Sequence, residues 1–208
     1  MCWGEAPSAE TNFAGINLPP KTYDIEIGVN MEDNMEFIRN QSRMQLPTFY
    51  AVEGIIVSIE PFARGFGATD CQMFVAVEDN DGNTVNFVVS PTTYVADFVT
   101  LREGMQATFY YRTDAPVPLI YPPQYTAVVV IPMQRNGQFV MVGYFNSALI
   151  NEEQTLQINL NNRVQMLTTN NQRFLGNPAN HSLVVFYETS TRSIPAQTTP
   201  ERIVVLCG

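Results

Sequence analysis

A chain of 208 residues of which 45% are hydrophobic can bury a full core in one large domain or two small ones, so wholesale disorder is excluded. Charge is sparse and one-sided, with 11 Lys and Arg against 20 Asp and Glu and a formal net charge of −9. Affinity for nucleic acid comes largely from Lys and Arg that release counterions from phosphates, so this composition disfavours a nucleic-acid partner.

Residues 1–47 are predicted to be an N-terminal extension. The first part has loop composition and ends on Pro19-Pro20, which stops a helix. The next segment, 22–29, alternates apolar and polar side chains and predicts one strand. Segment 30–44 has apolar side chains near helical spacing and predicts a short helix.

Residues 48–134 are predicted to form a first β domain. Its opening strand contains Gly54, where a bulge or a sharp bend is expected. The clearest hairpin runs over 71–90, because two β-rich stretches flank Asn80–Asn83 and the Asp-Gly pair there supplies the positive φ of a tight turn. A short connection with some helical character, another strand, a Pro-rich loop and a closing Val-rich strand complete the domain.

The C-terminal part repeats a pattern found earlier in the chain. VFYETSTRSIPAQTTPERIVVL follows TFYYRTDAPVPLIYPPQYTAVVV at an offset of 77 residues, and a fixed offset is typical of internal duplication. At this offset, the aligned residues are Phe109-Tyr110 with Phe186-Tyr187, Pro118 with Pro195, and Pro123 with Pro200.

The order of elements predicts the fold class. A strand, a hairpin, a short connection and two further strands are typical of the five-stranded Greek-key barrel known as the OB-fold. We therefore expect a mainly β protein of two tandem OB-like Greek-key barrels, over 48–134 and the shorter 135–208, behind the N-terminal extension.

The end of the second repeat resembles a known group of proteins. TRSIPAQTTP at 191–200, followed by the strand-like IVVL, is similar to the tail of small uncharacterised OB-like proteins of anaerobic spore-forming bacteria. Some of these accompany domains labelled copper amine oxidase N-terminal-like. The resemblance covers this tail closely, the rest of the second repeat loosely, and none of residues 2–47. It implies a β-rich, surface-associated module without a known activity, and it transfers no catalytic residue.

The residues that carry most enzyme chemistry are few in this chain. His181 is the single histidine, and no CxxC or HxxxH spacing is present, so we expect no metal, no cofactor and no catalytic site. A Cys71–His181 dyad would require residues of the two repeats to meet. The simpler interpretation of His181 is an exposed loop residue beside Pro178.

The hairpin turn has some features of a calcium loop. Asp79, Asp81 and Asn83 alternate as calcium ligands do, but Thr84 and Ser90 stand where an EF-hand loop requires Gly and Glu. A hairpin turn explains the three polar residues without an ion, and calcium binding stays open as an alternative.

Tyrosines in and after the fourth predicted strand are the candidate ligand-binding residues. OB-folds bind oligosaccharides or single strands by stacking aromatic rings on a β face. Neighbouring strand residues point to opposite faces, so these rings cannot all share one surface. The alternative role is cross-strand and loop packing. The candidates are Tyr110, Tyr111, Tyr121 and Tyr125.

Three cysteines, Cys2, Cys71 and Cys207, cannot all pair within one chain. Free thiols, a clasp between Cys2 and Cys207, and links between subunits all remain open. No basic start followed by an apolar run is present, so we expect a cytoplasmic chain unless a leader was removed. A removed leader would favour a surface or extracellular location, and Cys2 would then suit a trimmed lipoprotein. No apolar segment reaches the about 20 residues that span a bilayer.

These observations favour a non-catalytic β-module that assembles with itself or with another surface protein. A module that binds oligosaccharide or single-stranded nucleic acid is the alternative. Strand 22–29 has no partner within the extension, so we expect it to add to a barrel edge, on a neighbouring copy or on its own barrel. Addition to a neighbour would bring Cys2 near Cys71 or Cys207.

Overall fold

A computed structural model describes residues 47–62, 71–133 and 137–207. These residues belong to one compact unit, Gln45–Gly208. Their regular structure is β strand, apart from one three-residue 3-10 helix at Ala96–Phe98. The prediction of a mainly β chain is therefore confirmed. The predicted strand 22–29, the predicted helix 30–44 and Cys2 lie outside the described residues.

The first half of this unit forms a sheet that closes on itself. Its strands are β1 (Phe49–Pro61), β2 (Met73–Asp79), β3 (Thr84–Val89), β4 (Tyr94–Val95), β5 (Gln106–Arg112), β6 (Gln124–Thr126) and β7 (Val129–Pro132). They pair in the order β4-β7-β5-β1-β2-β3-β6. Between β6 and β7, the Ala127 amide donates to the Val88 carbonyl at 3.0 Å and the Val128 amide donates to the Tyr110 carbonyl at 2.8 Å. The stretch 124–132 thus bonds to β3 on one side and to β5 on the other, which closes the sheet. We call it the closed sheet.

The predicted hairpin is confirmed as β2 and β3. The strands pair antiparallel from Met73 opposite Val89 to Glu78 opposite Thr84. Gly82 has a φ of +81°, a conformation that glycine adopts without a steric penalty. The local turn chemistry therefore decides this element.

Gly54 marks a close approach of two strands instead of a bulge. It pairs with Asp79 on β2 and with Ala107 on β5. A Cβ at this position would lie 2.2 Å from the carbonyl oxygen of Glu78, so only glycine fits. The irregularity in β1 falls further along the strand, between Ile56 and Ser58.

The second half forms two smaller sheets. Its strands are β8 (Phe139–Phe145), β9 (Leu156–Ile158), β10 (Gln165–Thr168), β11 (His181–Tyr187), β12 (Ala196–Thr198) and β13 (Arg202–Leu206). Four of them pair in the order β10-β13-β11-β8, and β12 pairs with β9. β11 is antiparallel to both of its neighbours, whereas β10 and β13 are parallel. Across 137–207 the strands thus do not form a single continuous sheet like that of the first half.

Three apolar clusters hold these sheets together. One fills the closed sheet, and another covers the far side of the four-stranded sheet. Between them lies the central cluster, which takes side chains from both halves. Its buried members are Tyr94, Ala96, Val129, Ile131, Val142, Leu167, Val184, Phe186 and Val204. The two halves therefore share part of their core.

The two halves share part of a strand order, but their elements do not match at one constant offset. Phe109 lies on β5, between β1 and β7, and Phe186 lies on β11, between β8 and β13. Pro123 directly precedes β6, whereas Pro200 lies between β12 and β13. The proline that directly precedes β12 is Pro195. The predicted equivalence of Pro123 and Pro200 is therefore wrong, because the second half has the shorter loop.

Candidate functional site

Four rings meet at one end of the closed sheet. We call Tyr50, Phe87, Tyr111 and Tyr125 the aromatic cluster. The rings of Tyr111 and Tyr125 stack with centroids 3.9 Å apart and an interplanar angle of 15°. Tyr50 lies 5.8 Å from Tyr111 in a tilted arrangement. Phe87 packs beside both stacked rings, at 6.3 Å from Tyr111 and 6.1 Å from Tyr125.

Strand register brings these rings together. Tyr50 on β1 is the direct partner of Tyr111 on β5. Phe87 on β3 is the direct partner of Tyr125 on β6. Direct cross-strand partners project to the same face of a sheet, so each pair reaches one surface. The cluster therefore depends on four strands that are far apart in sequence.

Alternation along β5 separates two of the predicted candidates. Tyr111 packs against the core inside the closed sheet, whereas Tyr110 packs against the central cluster. Neighbouring residues of a strand point to opposite faces, which is the reason for this split. Tyr110 therefore does not belong to the aromatic cluster.

Tyr121 lies in a separate surface feature, which we call the apolar loop. This loop, 113–123, joins β5 to β6. Tyr121 is 90% exposed and Leu119 is fully exposed, and Ile120 and Val117 are also partly exposed. The structure thus unites Tyr111 and Tyr125, and it places Tyr110 and Tyr121 elsewhere. It adds Tyr50 and Phe87, which sequence reasoning missed because only pairing between distant strands reveals them.

Its surroundings in the aromatic cluster hold the Tyr111 phenol in its neutral form. Burial raises the pKa of Tyr111, and a hydrogen bond with the Tyr125 hydroxyl raises it further. Tyr50 is the most open ring of the cluster, with 58% of its surface exposed. The cluster can therefore offer a ligand the open ring of Tyr50 beside the neutral hydroxyl of Tyr111.

His181 is not the exposed loop residue that we expected. It begins β11 and is half-buried. Its Nδ1 lies 2.8 Å from the carbonyl oxygen of Ala179, and the edge of its ring meets Phe174 with centroids 5.8 Å apart. Within the described ranges, no three His, Cys, Asp or Glu side chains are grouped so that they could hold a metal ion.

The candidate calcium ligand Asp79 is engaged in the hairpin turn. Its Oδ1 accepts hydrogen bonds from the amides of Asp81, at 3.0 Å, and Asn83, at 2.8 Å. The bond from the Asn83 amide is the main cause of the lowered pKa of this carboxyl group. The carboxylate therefore stabilises the turn as a hydrogen-bond acceptor.

Cys71 and Cys207 are exposed free thiols. The predicted link of either residue to Cys2 lies outside the described residues. In the described part of the chain, no helix combines the length and apolar character needed to cross a membrane.

The comparisons with known proteins add no relative. No protein-family model matches the chain, and a search of curated proteins gives no match. The resemblance of residues 191–206 to OB-like proteins of spore-forming bacteria therefore stays a prediction.

Proposed function

We propose that this chain is a non-catalytic β-module that associates with other protein surfaces, including further copies of itself, through the apolar loop. The observation that carries the proposal is the run of exposed apolar side chains in that loop, above all Leu119, Ile120 and Tyr121. Contiguous exposed apolar side chains mark interaction surfaces, whereas isolated ones are ordinary.

The base of the apolar loop is held in place. Arg112 Nε donates to Asp114 Oδ1 at 2.9 Å, and the Thr113 amide donates to the Thr48 carbonyl at 3.0 Å. Prolines at 116, 118, 122 and 123 restrict the backbone further. A restricted loop loses less conformational entropy on association, so its apolar side chains contribute more of their burial energy to binding.

The second half presents a related feature. Ile194 is 95% exposed and directly precedes Pro195, at the entry to β12. Tyr121 likewise precedes a proline, Pro122, and lies one residue further from the start of its strand, β6. Two apolar projections on one chain would allow each copy to contact two partners, which favours assembly over a single closed pair.

We also propose the finer fold assignment, two OB-like units related by duplication. Its support is that β1, β5 and β7 in the first half pair as β8, β11 and β13 do in the second. In OB-folds the loop between the fourth and fifth strands is one of the binding loops. The apolar loop follows the fourth strand of the first half when the two-residue β4 is not counted, and the segment that contains Ile194 lies between the fourth and fifth strands of the second half.

Light scattering tests the proposed association. Copies with a net charge of −9 repel each other at low ionic strength, and about 0.5 M salt confines this repulsion to a few ångströms. In such salt we expect the wild-type chain to exceed the monomer mass and the triple variant Leu119→Ser, Ile120→Ser, Tyr121→Ser to remain monomeric. Leu175→Ser is the matched control, since Leu175 is 84% exposed and lies outside the loop. A wild-type chain that stays monomeric at every salt concentration would contradict self-association.

The aromatic cluster favours a second candidate function, the binding of neutral oligosaccharide. Tyr50 offers an open ring beside the stacked pair of Tyr111 and Tyr125. Single-stranded nucleic acid is disfavoured because such platforms normally lie in basic grooves.

Calorimetric titration with soluble glucan and mannan oligosaccharides tests this function. We expect Tyr50→Ala to weaken any binding by about tenfold, the loss expected for one stacking contact of roughly 1–1.5 kcal/mol. Tyr121→Ala is the control and should bind as the wild type does. Equal weakening by both variants, or no heat of binding in the wild type, would contradict a sugar site at the cluster.

A further inference from the structure

β8 lies at the edge of its sheet, and within 47–62, 71–133 and 137–207 little of its outer side is paired. In the sheet β10-β13-β11-β8, the outer side of β10 is covered, because the Phe174 amide donates to the Met166 carbonyl at 2.9 Å and the Thr168 amide to the Gln172 carbonyl at 2.8 Å. On β8, the Tyr144 carbonyl accepts from the Glu152 amide at 3.1 Å. No other outward main-chain bond of β8 is formed within the described residues.

The direction of the Tyr144 carbonyl shows which main-chain groups of β8 point away from β11. Main-chain groups of an antiparallel strand alternate between its two sides, so those of Val140 and Val142 point outward with those of Tyr144. Three outward amides, of Val140, Val142 and Tyr144, and two outward carbonyls, of Val140 and Val142, thus form no main-chain bond with another described residue. An unpaired row of this kind is a template for an added strand.

The outer side of β8 lines a groove. One cavity of about 230 Å³ runs beside Phe139 and Val140 and is walled by Thr108 and Tyr110 of β5. A second of about 240 Å³ runs beside Met141–Tyr144 and is walled by Phe49 of β1. Together they follow β8 from Phe139 to Tyr144, so an added strand would contact side chains of the first half on one face.

Charge in this groove has a single sign. Glu53 lines the first cavity, Glu152 and Glu153 line the second, and no Lys or Arg among the described residues lines either. Burial raises the pKa of Tyr110 in the wall of the groove, and the Glu53 carboxylate raises it further.

We propose that the outer side of β8 binds an extended cationic segment of a partner protein as an added strand. Its backbone pairs with Val140 and Val142, apolar side chains at alternate positions pack against Phe49 and Tyr110, and Lys or Arg side chains lie near the groove carboxylates. The predicted strand 22–29 carries Asp24 and Glu26, so like charges disfavour it as the occupant. This surface uses residues distinct from those of the apolar loop and does not depend on self-association.

Fluorescence anisotropy with the full chain tests the proposal. The probe is a labelled ten-residue peptide of alternating Lys and Val. Its controls are an alternating Glu-Val peptide, a peptide of sequence TYDIEIGV, and a Lys-Val peptide with N-methyl groups on alternate amides. The N-methylated peptide keeps the charge but loses the donors that a strand needs. The loop variant Leu119→Ser, Ile120→Ser, Tyr121→Ser should bind the Lys-Val peptide as the wild type does, which separates this result from the test of self-association.

We expect saturable binding of the Lys-Val peptide and at least tenfold weaker binding of its N-methylated form. The variant Glu152→Gln, Glu153→Gln should bind the Lys-Val peptide about threefold more weakly than the wild type does. This effect is small because solvent-exposed charge pairs contribute little. Equal binding of the N-methylated peptide would overturn strand addition. Equal or tighter binding of the Glu-Val or TYDIEIGV peptide would overturn the cationic partner. No binding of the Lys-Val peptide would overturn both the strand addition and the cationic partner.

Discussion

The conformation and the contacts of several single residues in this chain are set by the atoms around them. Gly54 has the backbone of Glu78 on β2 against it, and Gly82 lies in the left-handed region that the hairpin turn requires. Tyr111 uses one ring face to stack on Tyr125, and burial keeps its phenol neutral. Within the aromatic cluster, Tyr50 is therefore the residue that a ligand reaches most easily.

Replacing Gly54 by Ala tests the close approach of β1 and β2. The added Cβ would lie 2.2 Å from the Glu78 carbonyl oxygen, and backbone atoms cannot yield as a flexible side chain can. We expect the free energy of unfolding in urea to fall by about 1–3 kcal/mol, the usual cost of overpacking. Gly143→Ala on β8 is the matched control, since no atom lies within 4 Å of its added Cβ. Equal stability of the two variants would show that the strands can separate at no cost.

Some elements of the fold are determined by their own residues, and others by pairing with distant strands. The hairpin β2–β3 follows from its turn residues alone. The open side of β8 could not be predicted from its own residues, because the sequence of a strand does not show whether it lies at the edge or in the centre of a sheet. The loop from β5 to β6 is longer than its counterpart between β11 and β12, so a comparison by one fixed offset misplaces Pro200.

At the largest scale, the two halves of the described chain share part of one buried core. Val129 and Ile131 from the first half and Val184 and Phe186 from the second belong to the same buried cluster. Arg202 on β13 lies over the Phe186 ring, 4.0 Å from its centroid, and pairs with Asp97 of the first half at 2.6 Å. Two halves that bury side chains against each other should unfold together.

Phe186→Ala tests this coupling. Phe186 is fully buried in the central cluster, and its truncation should cost about 3–5 kcal/mol of unfolding free energy. We expect one cooperative transition in urea, shifted as a whole, when it is followed by both circular dichroism and tyrosine fluorescence. The control Phe139→Ala should cost much less, since Phe139 is 56% exposed. Two transitions of which only one is shifted would show that the halves fold independently.

The sequence by itself determined the mainly β character, the hairpin and the separation of Tyr110 from Tyr111, because turn conformation and the two-residue period of a strand are local properties. It also identified Tyr111 and Tyr125 as candidates. Only the tertiary structure decided that Tyr50 and Phe87 join them, since strand register links residues that are distant in sequence. The shared core and the open side of β8 were decided in the same way: each depends on which strands become neighbours, and the burial of apolar side chains from distant segments drives that choice.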